Sequence, residues 1–255
     1  MKRSVKHLVD LIVVLTQKDL KVRYKSSFLG YFWSVANPLA YAFVFYIAFK
    51  IVMKIQMENY ALFLIAGLFP WQWFSNSVNV NIFCFLNNAS IIKKVNFPKS
   101  IIPFTLVLQD LIHFLAAVPV IVLFMAIYHK SPSWNWIYGI PILLVIQLIL
   151  TYGLALFVST INLFFRDLER LTALGVTLLF YFTPVFYSET MIPAKYHYFI
   201  QINPLSTLII SWRNLFLNGQ INWMYIAASF VSGLVFLAGG YWVYSKLSWK
   251  FAEVL

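Results

Sequence analysis

Residues 131–165 contain no Asp, Glu, Lys or Arg, and the run is bounded by Lys130 and Arg166. A helix crosses the hydrocarbon core of a bilayer in roughly 20 apolar residues, about 30 Å. This one run is therefore long enough to span, and a helix of that length and polarity has no natural place in a small water-soluble core. Others accompany it. Residues 31–49, 60–85, 171–188 and 223–244 are free of formal charge, and 100–128 carry a single one, Asp110. The stretch 171–188 is short and interrupted by Pro184. Six such segments predict an all-α membrane protein with six transmembrane helices.

Composition excludes the alternatives. Hydrophobic residues make up 62% of the 255 and charged residues 11%, against about 45–50% and about 25% in ordinary soluble domains. One globular core of this size cannot hide that surplus, and a disordered chain would have the opposite bias. The net charge of +11 is a matter of placement. With the N-terminus on the cytoplasmic side, segments 1–30, 86–99, 164–170 and 245–255 hold 14 of the 19 Lys and Arg residues. Such a bias places both termini inside the cell. No single soluble segment gathers a basic face for nucleic acid.

Chemistry is sparse. No GxxxxGK[ST] phosphate loop is present, so ATP chemistry of that kind is not expected on this chain. The lone Cys84 excludes an internal disulfide, and the four histidines, at 7, 113, 129 and 197, lack metal-ligand spacing. Asp167 and Glu169 are flanked by Arg166 and Arg170 and read as paired surface charges. Asp110 and His113 lie one helical turn apart inside a span. They suit a proton relay or a structural polar pair facing other helices. The second reading is preferred, because no other span supplies an acid to continue a relay.

Three segments carry more. Val5, Leu8, Val9, Ile12 and Leu15 recur at helical spacing among Lys6, Asp10, Gln17 and Lys18, the pattern of an amphipathic helix on the membrane surface. The loop 87–99 mixes Ile91, Ile92, Val95 and Phe97 with Lys93, Lys94 and Lys99. Either it folds against its own membrane surface or its apolar residues meet a partner. Residues 89–95 are expected to form a short helix ended by Pro98. Residues 189–222 alternate apolar runs with breakers at Pro193, Asn203, Pro204, Asn218 and Gly219, which suggests short re-entrant helices. The chain thus divides into a cytoplasmic N-terminus, 1–30, and one six-span domain, 31–255. Aromatic residues gather beside Pro70 and Pro184, among them Trp71, Trp73, Phe74, Tyr181, Phe182, Phe186 and Tyr187. An interfacial belt explains any one of them; together they also suit apolar stacking on sugar rings.

Taken in order, the motifs are Arg23-Tyr-Lys-Ser-Ser-Phe-Leu-Gly-Tyr-Phe-Trp-Ser-Val-Ala-Asn-Pro-Leu39, Gly67-Leu-Phe-Pro-Trp-Gln-Trp-Phe-Ser75, and the 87–103 loop with Lys93-Lys94 and Phe97-Pro98. Asn162-Leu-Phe-Phe-Arg-Asp-Leu168, Thr183-Pro-Val-Phe186 and Asn203-Pro-Leu205 complete them. Over almost the whole chain this resembles the membrane subunits of bacterial ABC exporters for O-antigen, capsule and teichoic-acid polysaccharides. The resemblance implies a homodimer in the cytoplasmic (inner) membrane with two copies of a separate ATPase subunit, which would carry ATP and Mg. It implies no cofactor or metal on this chain, no catalytic residue, and a lipid-linked polysaccharide as cargo. It also implies an interface helix at 4–25, a coupling segment at 87–99 (Asn88, Ile91, Ile92, Lys93, Phe97 and Pro98) and a re-entrant outer gate at 189–222 (Phe199, Leu205 and Trp212). Tyr181, Phe182, Phe186 and Tyr187 are the expected substrate-path residues. The competing classes are an ABC exporter of small hydrophobic drugs or lipids and a membrane-embedded glycosyltransferase, whose acidic loops are missing here.

Overall fold

The computed structural model describes residues 5–24 and 30–255, with the side chains of residues 5, 23, 24, 31, 34, 199–201 and 252 outside that description. Within it every regular element is helical. The order is α1 (Val5–Tyr24), α2 (Trp33–Phe45, running on as a π-helical turn Tyr46–Val52), α3 (Tyr60–Asn81), α4 (Cys84–Asn87), α5 (Ala89–Lys94) and α6 (Ile101–Ile127). Then follow α7 (Trp136–Phe164), α8 (Leu168–Phe182), α9 (His197–Ile202), α10 (Pro204–Asn218), α11 (Trp223–Leu247) and α12 (Phe251–Val254).

Among the described residues, four helical stretches are long and apolar enough to cross a membrane: Val35–Val52, Ile101–Ile127, Trp136–Phe164 and Trp223–Lys250. The other two expected spans take different forms. Residues 60–85 yield α3, 22 residues long, whose second half carries Gln72, Ser75, Asn76, Ser77, Asn79 and Asn81. It packs against α2, α6, α7 and α10; Ser77 and Asn81 are buried and hydrogen-bonded, whereas Asn76 and Asn79 are exposed. Residues 171–188 yield α8, which starts earlier, at Leu168, and stops at Phe182. Its 15 residues rise only about 22 Å. Pro184 ends it, since proline disfavours helical backbone in the residue before it, and Thr183 is extended.

Local chemistry sets the ends of α10 and α11. Asn203 caps α10, its side chain accepting from the Leu205 N–H at 3.0 Å, with Pro204 at the first helical position. Gly219 closes the helix at φ +62°, a left-handed conformation that favours glycine. Asn222 then caps α11 through the N–H groups of Met224 and Tyr225.

The pair α7–α11 meets backbone to backbone. A Cβ on Gly240 would collide with the Gly153 carbonyl, and one on Gly153 with the Phe236–Leu237 backbone. Small residues permit such approach in lipid, where association rests on packing rather than on expulsion of water. Gly240→Leu should therefore lower stability by about 1–3 kcal/mol, visible as a lower thermal midpoint in detergent. Gly239→Leu, where nothing lies within 4 Å of the added Cβ, should leave the midpoint unchanged.

Candidate functional site

Three helices enclose a groove of about 780 Å³, and each contributes one helical stripe. From α2 come Asn37, Tyr41 and Phe45; from α3, Gln72, Ser75, Asn76 and Asn79; from α8, Ala173, Val176, Thr177, Phe180 and Tyr181. Positions separated by three or four residues share a helix face, so the polar residues of α3 form one line rather than a scatter. Trp71 and Leu68 complete the wall. The lining holds four amides, five large aromatic side chains and two hydroxyl residues besides the tyrosines, and no formal charge. Amides donate and accept, and ring faces accommodate apolar C–H surface. A neutral polyol is the chemistry such a wall fits.

The expected path residues separate here. Tyr181 lines the groove. Phe182 is not among the lining residues and is 70% exposed; it follows Tyr181 by one residue, about 100° around the helix. Phe186 packs into a nest of rings, 5.4 Å from Phe45, 5.2 Å from Phe49 and 5.5 Å from Phe180, centroid to centroid. The Tyr187 hydroxyl donates to the Tyr181 carbonyl at 3.1 Å.

This turn is held by side chains because Pro184 has broken the helix. Arg213 Nη2 donates to the Pro184 and Val185 carbonyls at 2.8 and 2.7 Å, and the Tyr60 hydroxyl donates to the Phe186 carbonyl at 2.7 Å. Three consecutive carbonyls are thereby satisfied inside the bundle, as a water-poor interior demands. The guanidinium lies 3.7 Å from the centre of the Phe63 ring, and any Cβ on Gly67 would strike it. Arg213, Tyr60 and Gly67 are the functional candidates that sequence reasoning missed. The available signal was an arginine inside the apolar run 205–217.

The expected gate residues lie deep. Leu205 is buried, and Trp212 is fully so at 0% exposure, its ring 5.0 Å from Phe114 of α6. Trp212 Nε1 donates to Gln147 Oε1 at 2.6 Å, and Gln147 Nε2 donates to the Pro70 carbonyl at 2.7 Å. Helix α10 is thus linked to the proline of α3 through Gln147 of α7. The side chain of Phe199 falls outside the described residues. Beside the groove, and sharing Gln72 and Asn76 with it, a cavity of about 30 Å³ is lined by Asp110 and His113. Asp110 accepts from Ser77 Oγ at 3.0 Å, so the pair faces a neighbouring helix.

The 87–99 loop has two sides. Ile92 and Phe97, each 6% exposed, point into a cluster with Cys84, Phe85, Ile102, Leu106 and Phe251. Within this chain the two side chains anchor the loop to its own bundle. Ile91 is half-buried, packed against the same cluster. Lys93, Lys94, Val95, Asn96 and Pro98 are exposed. Asn88 donates to the Cys84 carbonyl at 2.9 Å and accepts from Lys18 of α1 at 3.1 Å.

Several motif residues prove to be joints. Asn162 donates to the Ile82 carbonyl at 3.0 Å, fixing the exit of α3 against α7, and Asn203 donates to Thr183 Oγ1 at 3.0 Å. Asn37 and Trp71 line the groove. Residues 25–29 of the first motif lie outside the described residues.

Residues 10–217 match the ABC-2 type transporter family, and the chain belongs to it. It is 50% identical to the O-antigen export system permease protein RfbA of Klebsiella pneumoniae over 255 residues, 100% of this chain and 98% of that protein. A protein of the same description from Myxococcus xanthus is 32% identical over 208 residues, 81% of this chain and 80% of its own length. The polysialic acid transport protein KpsM of Escherichia coli is 22% identical over 221 residues, covering 83% of each chain.

Proposed function

We propose that this chain is the membrane permease subunit of a polysaccharide exporter, driven by a separate ATPase. The carrying observation is the uncharged groove of amides and rings between α2, α3 and α8. The names of its relatives supply the cargo class: an O-antigen-like polysaccharide, here taken to be lipid-linked. Six membrane passages are proposed, α3 and α8 joining the four long apolar stretches, with both termini cytoplasmic and α1 on the inner surface. Tyr41 and Tyr181 remain exposed along the groove, which supports a second copy of the chain closing it into a channel. Helices α9 and α10 form the re-entrant outer element, and the outward side of 87–99 meets the ATPase. ATP and Mg belong to that partner, and the exporter sits in the bacterial cytoplasmic membrane.

The test uses the permease and its ATPase in proteoliposomes, following ATP-dependent movement of a defined lipid-linked glycan. Tyr41→Ala with Tyr181→Ala removes two exposed stacking faces, worth about 1 kcal/mol each, so export should fall roughly tenfold or more. Phe182→Ala, equally exposed but off the groove, should leave it unchanged. Equal effects of both would remove the groove from the path.

A further inference from the structure

The last residues of the chain pack beneath the loop read above as the ATPase seat. Helix α11 ends at Leu247, a 3-10 turn Ser248–Lys250 follows, and α12 begins at Phe251. Such an apolar chain end would ordinarily lie in lipid or trail into water. Instead Phe251 is 0% exposed. Its ring sits 4.7 Å from Phe85 beyond α3, 6.2 Å from Phe164 of α7 and 5.9 Å from Tyr244 of α11. Three helices that are distant in sequence therefore converge on one side chain.

The same side chain lies among the anchors of the loop. Ile92 and Phe97 are buried in the cluster that contains Phe251. The Lys99 ammonium stands 5.5 Å from the centre of the Phe251 ring, within the range of a cation–π contact. The next residue is tied to the same region, because the Ser100 N–H donates to the Tyr244 hydroxyl at 3.1 Å and the Ser100 carbonyl accepts from Tyr152 at 3.2 Å. The inner face and the far end of the loop thus rest on the end of the chain. Its near end is held separately by Asn88, through Cys84 and Lys18.

We propose that Phe251 is a positioning residue for energy coupling: the C-terminal turn wedges under residues 88–99 and sets the pose in which their exposed side, Lys93 to Asn96 and Pro98, meets the ATPase. The proposal rests on the reading of that loop as the ATPase contact. A short helix such as α5, six residues long, cannot hold its own orientation, since isolated helices of that length are unstable. Its pose is borrowed from the cluster beneath. Removing the wedge leaves a void under Ile92 and Phe97 into which the loop can tilt, so a push from the ATPase would be absorbed locally instead of being passed to α3 and α6.

The experiment uses the full chain with its ATPase. In a Phe251→Ala background that also carries Cys84→Ala, Ile92→Cys should become reactive to a maleimide, whereas it stays protected beside the native Phe251; replacing Cys84, which belongs to the same cluster, leaves the introduced thiol as the reporter. Export per ATP hydrolysed should drop roughly tenfold, and Phe251→Leu, which refills most of the volume, should show the same changes at a smaller size in both readouts. Phe251→Leu also keeps the test decisive if Phe251→Ala yields no folded protein, because a graded change in labelling and coupling is then still expected. Continued protection of Ile92→Cys in Phe251→Ala would overturn the wedge. Labelling without any change in coupling would overturn the proposal through its premise, and Lys93→Glu with Val95→Asp, made in the otherwise native chain, reports on that premise independently.

Discussion

Arg213→Met should cut export by roughly thirtyfold or more, with a smaller loss for Arg213→Lys. The native guanidinium donates to two carbonyls released where Pro184 ends α8. Hydrogen bonds from a charged group contribute about 1.5–3 kcal/mol each, and a buried acceptor left unpaired costs about 1–3 kcal/mol. Methionine fills the volume and donates nothing, so the turn 183–187 loses its hold on α10. Phe186 then leaves its nest against Phe45, Phe49 and Phe180, and the aromatic end of the groove loses its shape. Lysine keeps the charge but lacks the planar fork. Gly67→Leu should reproduce the defect with Arg213 intact, because the new side chain occupies the place of the guanidinium. Export and thermal midpoint are measured together. Wild-type export by Arg213→Met would show that the latch between α8 and α10 has no part in transport.

How far this arrangement was legible depends on the kind of information each element uses. The spans at Ile101–Ile127, Trp136–Phe164 and Trp223–Lys250 follow from hydropathy, which sums over a segment and needs no partner. The end of α8 does not. Pro184 was visible, yet where the freed carbonyls find donors depends on Arg213 and Tyr60, far away in the chain. In α3 the period-3.6 polar stripe, Gln72, Ser75, Asn76 and Asn79, was present in the sequence but is diluted when a whole span is averaged. Asn162, Thr183 and Asn203 could be recognised as motif members, while their roles as joints required the partners. The inward turn of Ile92 and Phe97 was illegible for the same reason: the cluster that buries them draws on distant residues, among them Leu156, Leu163 and Phe251.

Lys93→Glu, Lys94→Glu and Val95→Asp together should weaken co-purification with the ATPase roughly tenfold or more and uncouple hydrolysis from export. These three residues are exposed on the loop, while Ile92 and Phe97 hold its other side to the bundle. Acidic replacements at Ile92 and Phe97 would place carboxylates in an apolar cluster and damage this chain before any partner is met. The outward set avoids that, since none of the three contributes to the buried cluster. Reversing two exposed charges alters encounter and specificity more than packing, so the association rate should fall and its dependence on salt should change sign or flatten. Val95→Asp adds desolvation of a carboxylate at the point where an apolar contact is expected. The thermal midpoint of the isolated permease should stay within a degree or two of native, because surface substitutions are usually within about 0.5 kcal/mol. Full association and full export by the triple variant would place the ATPase contact elsewhere on the chain, with α1 the next surface to probe through its Lys18–Asn88 link to the same loop.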